Sequence, residues 1–275
     1  MLRRTLTALG MAAVGLPAII YGGWFYFLVM GIFLVGGAWE YVRLYRAVNH
    51  EPNETVTIGG VLVLVTARFF FPEASVPVFV AVILIAMTAH LVAFERGRDH
   101  AAVDFGVTVA GIVYLGWIGA YLLDLRSLVS NEMGVWWFML ILPLVWAADT
   151  GGYSIGAAYG RHKMTRRLSP KKSWEGYFAG IFTAVLVGAF FAYAFSSLGP
   201  QPLGGFITPL QGALLGLVIG ALSPLGDLGE SMFKRQSGMK DSSNIFPGHG
   251  GFLDRIDSWI WGAALGYFLI QYFIL

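Results

Sequence analysis

The chain has 275 residues, of which 57% are hydrophobic and 12% are charged, and its mean hydropathy is +0.68. Soluble domains carry about 25% charged residues, so this composition excludes an ordinary soluble protein and indicates an integral membrane protein. The absence of cysteine excludes disulfides, thiol catalysis and cysteine-ligated metals. The net charge of +2 is small, and its informative feature is its distribution along the chain.

Apolar segments long enough to cross a bilayer recur along the whole chain. A membrane-spanning helix needs about 20 mostly apolar residues. The sequence predicts nine such helices, over residues 5–21, 24–45, 56–71, 75–94, 101–123, 134–160, 173–197, 207–233 and 252–274. Only Gly22 and Gly23 separate the first two, and the short third contains Arg68, so a count of eight also fits. We predict an all-α, polytopic integral membrane bundle of about nine transmembrane helices.

No linker or soluble segment interrupts this pattern, which predicts a single membrane-embedded domain over residues 1–275. The spans up to about residue 125 are expected to form a scaffold, and residues from about 134 to 275 carry the motifs described below. Arg3 and Arg4 ahead of the first apolar segment resemble the start of a signal peptide. The apolar stretch continues without a convincing cleavage site, so we expect an uncleaved first span.

The basic residues predict the orientation of the chain. Of its 18 lysine and arginine residues, all but Arg68 and Arg126 fall on the side of the N-terminus when nine spans are drawn. Short loops rich in lysine and arginine stay in the cytoplasm. The N-terminus and the loops near 161–172 and 234–251 are therefore expected in the cytoplasm, with the C-terminus outside. Part of the bias has a second explanation, because these two loops also carry the polar motifs.

Glycine accounts for 36 residues and recurs at helical spacing. One series is Gly152, Gly156 and Gly160, and another is Gly212, Gly216 and Gly220. Small residues at this spacing let membrane helices approach closely. They predict a compact bundle, or a homodimer through the glycine-rich helices, in preference to a chemical role.

Polar side chains gather on one face at the end of the eighth predicted span. Asp227, Glu230, Ser231 and Lys234 are spaced i, i+3, i+4 and i+7, so a helix places them in one stripe. Such a stripe suits a metal ion and the phosphate that it bridges. An internal salt-bridged face, in which Lys234 neutralises Asp227, explains the same spacing equally well.

A glycine-rich turn and an acidic helix start follow in the chain. The turn, residues 247–251, combines Pro247 and His249 with three glycines, which lets backbone N–H groups approach an anion. We interpret His249 as ordering the turn or contacting a phosphate, in preference to binding a metal. Asp254 and Asp257 then open the ninth span, where a helix dipole favours carboxylates. Helix capping is the competing explanation for Asp257.

A third group lies around the end of the sixth span. Asp149 closes an apolar run and has no charged neighbour nearby in sequence, so it needs a metal or a cation from elsewhere in the fold. The basic loop that follows, residues 161–172, either orients the chain or binds anionic headgroups. The remaining isolated groups are expected to be interfacial in the case of Glu40, Asp104 and Asp124, and packed or interfacial in the case of His90.

These residues together resemble a known family. The signature of phosphatidate cytidylyltransferases, or CDP-diglyceride synthases, is similar to the run Ser231-x-Phe233-Lys234-Arg235, Lys240-Asp241 and Pro247-x-His249-Gly250-Gly251-x-x-Asp254-Arg255-x-Asp257. A second region of that family resembles Asp149-Thr150 and Ser169-Pro170-Lys171-Lys172-Ser173-Trp174-Glu175-Gly176. Ser173 stands where the family more often has threonine, and it keeps the hydroxyl. A gapped match at this many fixed positions is highly specific.

The resemblance implies that CTP and phosphatidate react to give CDP-diacylglycerol and pyrophosphate, with Mg²⁺ as cofactor and room for a second cation. It implies catalytic roles for Asp227, Asp254, Lys234 and Arg255, and metal ligation by Asp227, Asp254 and Asp149. It implies substrate contacts for Lys171, Lys172, Ser173, Ser231, Arg235, Lys240, Asp241, His249, Gly250, Gly251 and Asp257. The expected partners are these two substrates and the lipid bilayer of a bacterial inner membrane, without nucleic acid. The expected site is a polar cavity open to the cytoplasm.

Two other functions fit parts of the pattern. A transporter or channel would use buried charges as an ion pathway, and a different membrane transferase would join a phospholipid to a nucleotide-activated group. Transport predicts charges at mid-span and an internal repeat. The charges here lie at span ends on one side, with a glycine turn between them, which favours chemistry at the membrane surface.

Overall fold

The computed structural model describes residues 2–198 and 207–275, and most of these residues are helical. The helices are α1 (Leu2–Tyr21), α2 (Gly23–Arg46), α3 (Glu54–Phe70), α4 (Ser75–Glu95), α5 (Ala101–Gly111), α6 (Tyr121–Arg126), α7 (Asn131–Tyr159), α8 (Trp174–Leu198), α9 (Pro209–Leu222), α10 (Pro224–Gln236) and α11 (Leu253–Phe273). A 3₁₀ turn covers Pro72–Ala74, and a π-helical segment, Ile112–Ile118, follows α5. Strands β1 (Lys163–Thr165) and β2 (Ser169–Ser173) form an antiparallel hairpin.

The described helices reproduce the predicted segments one for one. The π-helical segment and α6 continue α5 within the predicted fifth span, and α10 continues α9 within the eighth after a break at Ser223. Within the described residues, six helical stretches are long and apolar enough to cross a membrane: Gly23–Arg46, Pro72–Glu95, Ala101–Arg126, Asn131–Tyr159, Trp174–Ser197 and Pro209–Gln236. The prediction of an all-α, polytopic membrane bundle is confirmed, and the count of nine spans stays a prediction.

Side chains that satisfy exposed backbone N–H groups define several helix starts. Ser130 precedes α7, and its hydroxyl accepts a hydrogen bond from the Met133 N–H at 3.1 Å. Thr208 and Gln211 form a reciprocal capping box at the start of α9, with Pro209 in the first helical position. These capping interactions determine where α7 and α9 begin.

The fold divides into two compact units that interleave in sequence. Unit 1 comprises Met1–Asp124 and Met232–Ile256, and unit 2 comprises Leu125–Ser231 and Asp257–Leu275. The boundaries fall inside α6, α10 and α11, so each of these helices contributes residues to both units. The prediction of a single domain with an N-terminal scaffold stays a prediction.

Unit 2 is built on glycine contacts between α7, α8 and α9. A β-carbon added to Gly180 would lie 2.5 Å from the carbonyl oxygen of Ala148, and one at Gly220 would lie 2.8 Å from the β-carbon of Ala184. Larger side chains would force these helices apart. The close packing predicted from glycine spacing is therefore present within the chain, and the homodimer stays a prediction.

Candidate active site

Three carboxylates converge in unit 2. Asp227 and Glu230 on α10 and Asp257 on α11 each offer one oxygen, and these oxygens lie within 4.8 Å of one another. The helices approach closely at Gly226, where an added β-carbon would lie 2.5 Å from the carbonyl oxygen of Asp257. Glu230 is buried, whereas Asp227 and Asp257 are partly exposed. Like charges this close raise one another's energy unless a cation or protons neutralise them, and carboxylate oxygens are the ligands that Mg²⁺ prefers.

Lys172 is a basic partner of this cluster in unit 2. Its Nζ lies 2.6 Å from Asp227 Oδ2, and it also lies 3.4 Å from the carbonyl oxygen of Pro224. Asp149, on α7, is within electrostatic range of both Lys172 and Asp227. Lys234 pairs with Asp254 in unit 1, and the salt-bridged stripe in which Lys234 neutralises Asp227 stays a prediction.

A cavity of about 560 Å³ adjoins these groups within unit 2. It is the size of a small-molecule site. The polar groups on its wall include Asp149, Lys163, Lys171, Lys172 and Ser173. Glycines of α7 and α8 form much of the remaining surface, and their lack of side chains provides the space. Lys172 connects the cavity to the carboxylate cluster, because it lines the first and binds Asp227 of the second.

The basic side chains of the cavity are presented by the β1–β2 hairpin. Its base is closed by the Trp174 N–H, which donates to the His162 carbonyl at 2.9 Å. Glu175 accepts the His162 N–H at 3.1 Å, and its Oε1 lies 2.5 Å from His162 Nδ1. Ser173, which is buried, accepts the Gly176 N–H at 3.3 Å. These contacts hold the exposed Lys171 at the end of the hairpin nearest α8.

In unit 1, Asp254 organises the loop that contains the glycine turn. Its Oδ1 lies 2.6 Å from Lys234 Nζ, and both side chains are largely buried. Its Oδ2 accepts the N–H groups of Ser242 and Gly251, each at 2.9 Å, and contacts the Ser242 hydroxyl at 2.6 Å. Both oxygens therefore have protein partners. The acids that converge beside Asp227 in unit 2 are Glu230 and Asp257, and metal ligation by Asp254 stays a prediction.

The other predicted site residues differ in their exposure. Gly248 and Gly250 have φ values of 79°, a region that favours glycine, so the turn depends on them. The Arg255 side chain is half-buried, and its Nε has no hydrogen-bond partner within residues 2–198 and 207–275. Ser231 is buried and His249 is half-buried. The exposed side chains are those of Arg235, Lys240 and Asp241.

Three acids with a predicted interfacial position have protein partners inside unit 1. Asp104 and Glu40 are fully buried, and Asp104 lies 2.7 Å from Arg98 Nε. Asp124 lies 2.7 Å from an Arg68 guanidinium nitrogen. Glu40 and Asp104 are therefore enclosed by protein, and their position at the membrane interface stays a prediction. The signal for Glu40 was its place inside an apolar segment, where a carboxylate is costly.

His90 is buried, and its Nε2 lies 2.8 Å from the Thr108 hydroxyl, so its prediction as a packed residue is confirmed. The sequence places Glu230 on the polar stripe with Asp227, but the family resemblance does not include Glu230 among the metal ligands. Its spacing of i+3 from Asp227 was the available signal, and the structure places it in the carboxylate cluster.

Comparison with known proteins shows the family to which the chain belongs. Residues 2–273 match the profile of the Cytidylyltransferase family. The chain belongs to the cytidylyltransferase family. It is 30% identical to the phosphatidate cytidylyltransferase of Synechocystis sp., over 98% of this chain and 96% of that protein. It is 34% identical to the Pseudomonas aeruginosa phosphatidate cytidylyltransferase, over 93% of this chain and 92% of that protein.

The highest identity among these relatives is local. The Haemophilus influenzae phosphatidate cytidylyltransferase is 47% identical, over 52% of this chain and 47% of that protein. Membership of the cytidylyltransferase family confirms the resemblance drawn from the two motif regions. It also favours the transferase interpretation over a transporter or channel.

Proposed function

We propose that this chain is a phosphatidate cytidylyltransferase, which transfers CMP from CTP to phosphatidate and produces CDP-diacylglycerol and pyrophosphate. The observation that carries the proposal is the convergence of Asp227, Glu230 and Asp257 beside Lys172 and its cavity. Relatives that bear this activity in their names match the chain over nearly its whole length.

The reaction needs charge neutralisation more than proton transfer. A phosphate oxygen of phosphatidate attacks the α-phosphorus of CTP, and the bond from that phosphorus to the bridging oxygen of the β-phosphate breaks. Pyrophosphate leaves with the bonding electrons. The attacking phosphate is already ionised at pH 7, so no general base is required. Both substrates are anions, and the protein must position them in line while offsetting their repulsion.

The carboxylate cluster fits Mg²⁺. Asp227, Glu230 and Asp257 would hold the ion, since they bring three oxygens within 4.8 Å in a partly buried site. When bound, Mg²⁺ supplies positive charge that neutralises phosphate oxygens in the transition state. Asp149 lies within electrostatic range of Asp227 and would be a ligand for a second cation. The protein's own task is to keep these carboxylates close and oriented.

The cavity supports binding of the nucleotide. Lys171 and Lys172 line it beside Lys163, and we assign the first two to the triphosphate. A lysine on this wall can balance phosphate charge while the glycine surface admits the substrate. We assign the exposed Arg235 to the phosphate of the lipid, a role that the family resemblance supports.

We infer that the protein lies in a bacterial inner membrane with its motif loops in the cytoplasm, where CTP is found. The apolar helices and the bacterial relatives support the membrane, and the distribution of basic residues supports the orientation.

Purified full-length protein in lipid nanodiscs tests the proposed function. CTP, phosphatidate and Mg²⁺ should yield a cytidine-labelled lipid, and replacing phosphatidate with diacylglycerol should abolish the product. Replacing CTP with ATP or GTP should reduce the rate strongly. Equal use of diacylglycerol would instead indicate a different membrane transferase.

A further inference from the structure

We propose that Glu40 is a positioning residue for the signature loop, which we define as residues 241–253. The inference rests on the proposed function, since it assigns a role in that reaction to a helix outside the motif regions. Glu40 lies in α2, is fully buried, and is separated from Leu253 by 213 positions in the chain.

Four polar groups from the signature loop surround the Glu40 carboxylate. Oε1 accepts the Phe252 N–H at 3.0 Å and the Ser243 hydroxyl at 2.5 Å. Oε2 accepts the Leu253 N–H at 2.8 Å and contacts the Ser242 hydroxyl at 2.8 Å. Each oxygen therefore binds one backbone group and one side chain, and together they hold both ends of the loop.

The location of these donors explains why a carboxylate is tolerated in a buried position. Phe252 and Leu253 stand at the start of α11, where backbone N–H groups lack partners within the helix and the dipole favours negative charge. Glu40 supplies those partners from a different helix. A neutral side chain of the same shape would accept fewer of these hydrogen bonds and would lose the attraction to the helix start.

Ser242 connects Glu40 to the predicted catalytic pair. Its hydroxyl lies 2.8 Å from Glu40 and 2.6 Å from Asp254, and its single proton can be donated to only one of them at a time. Asp254 in turn lies 2.6 Å from Lys234 Nζ. Glu40 therefore acts on Asp254 through Ser242, and on Lys234 through Ser242 and Asp254, without needing to touch a substrate.

Gly251 allows the backbone of the signature loop to lie close to Glu40. A β-carbon at this position would overlap the Glu40 carboxylate and lie against the Ser242 hydroxyl. The glycine turn thus has a second function besides approach to an anion, because it lets the loop backbone rest directly on Glu40.

Glu40→Gln is the variant that tests the proposal. We expect kcat to fall by about 10- to 100-fold, the effect typical of misplaced catalytic groups. The KM for CTP should change by less than about threefold, because the proposed triphosphate contacts lie on the hairpin. Hydrogen exchange at the amides of residues 242–253 should become faster, since two of those amides lose an ionised acceptor.

Asp104→Asn is the matched control. Asp104 is equally buried in the same unit. Its hydrogen bonds join it to Arg98 and to the Glu51 N–H, and neither of these residues belongs to the signature loop. This variant should lower the thermal stability in detergent while leaving kcat within about twofold and exchange at 242–253 unchanged. Ser243→Ala, which removes one donor and no charge, should lower kcat in the same direction as Glu40→Gln but less.

Three outcomes would overturn the proposal. One is wild-type kcat and unchanged loop exchange in Glu40→Gln. The second is a loss of kcat in Asp104→Asn as large as that in Glu40→Gln, which would indicate general destabilisation. The third applies if Glu40→Gln does not fold. It is a wild-type kcat together with wild-type hydrogen exchange of the loop amides in Ser243→Ala. Failure of the wild-type protein to transfer cytidylyl groups would refute the proposed function, while loop exchange in the variants would still decide the role of Glu40.

Discussion

Lys172 and Lys234 each pair with an aspartate, but the two pairs differ in their exposure to solvent. The side chains of Lys172 and Asp227 are 27% and 37% exposed, whereas those of Lys234 and Asp254 are 9% and 8% exposed. Exposed ion pairs contribute about 0–1 kcal/mol, whereas removing one partner of a buried pair costs about 3–5 kcal/mol. The two lysines should therefore respond differently to the same substitution.

We predict that Lys234→Met lowers both activity and stability, whereas Lys172→Met lowers activity with little change in stability. Methionine keeps most of the packing of the lysine stem and removes the charge. Thermal unfolding in detergent, measured beside turnover, separates the two effects. Equal stability of the two variants would contradict the difference in burial.

The carboxylate cluster gives a second prediction. Asp227→Asn and Asp257→Asn should each reduce kcat by at least about 100-fold, since charge stabilisation of this kind is commonly worth that much. Asparagine keeps the shape of the side chain but not the charge that a hard divalent cation requires. Asp99→Asn, at an exposed loop position, is the control and should retain full activity. Near-normal turnover with an unchanged Mg²⁺ dependence in either cluster variant would refute the metal assignment.

At the scale of elements, the proposed substrate contacts lie on different parts of the chain. Lys171 belongs to β2, whereas Arg235 lies near the end of α10. We predict that Lys171→Ala mainly raises the KM for CTP and that Arg235→Ala mainly raises the KM for phosphatidate. Steady-state kinetics with each substrate varied in turn provides the measurement. Equal shifts in both KM values for both variants would rule out separate contacts for the two substrates.

The helices could be predicted because length and apolarity determine them, and each predicted span corresponds to a described helical stretch. The π-helical segment within 101–126 could not, because it lies inside a continuous apolar run, whereas Pro224 was an available signal for the break at Ser223. The short hairpin was also missed, since Lys and Arg dominate its sequence and hide the strand pattern. Hydropathy reports the environment of a segment and contains little information about its local hydrogen bonding.

The carboxylate cluster was only partly predictable. The helical spacing of Asp227 and Glu230 places both on one face, but their meeting with Asp257 depends on the close approach at Gly226. The contacts of Glu40 with the signature loop depend on pairing across more than two hundred residues, which no local pattern records.

At the scale of the whole molecule, the sequence order and the compact units do not coincide. Residues 232–256 belong to unit 1 with the N-terminal helices, although the motif that they carry continues in sequence into unit 2. The division into an early scaffold and a late catalytic part is drawn from the sequence motifs, and it stays a prediction.

The orientation of the chain can be tested with single cysteines, because the native sequence contains none. Arg167→Cys and Asn244→Cys, at exposed positions of the two motif loops, should react with an impermeant thiol reagent only from the cytoplasmic side. Glu73→Cys, at an exposed position between α3 and α4, should react only from outside. Asn244 is preferable to the neighbouring Ser242, which is buried. The opposite labelling pattern in intact cells would overturn the proposed orientation.

The most direct test of the proposed function is a transfer experiment with position-specific label. Purified protein in nanodiscs receives phosphatidate, Mg²⁺ and CTP labelled either at the α-phosphorus or at the γ-phosphorus. We predict that the α-label enters the lipid and that the γ-label is released in pyrophosphate, with both reactions abolished in Asp227→Asn. Transfer of the γ-label to the lipid, or release of γ-labelled inorganic phosphate without a cytidine-containing lipid, would contradict cytidylyl transfer at this site.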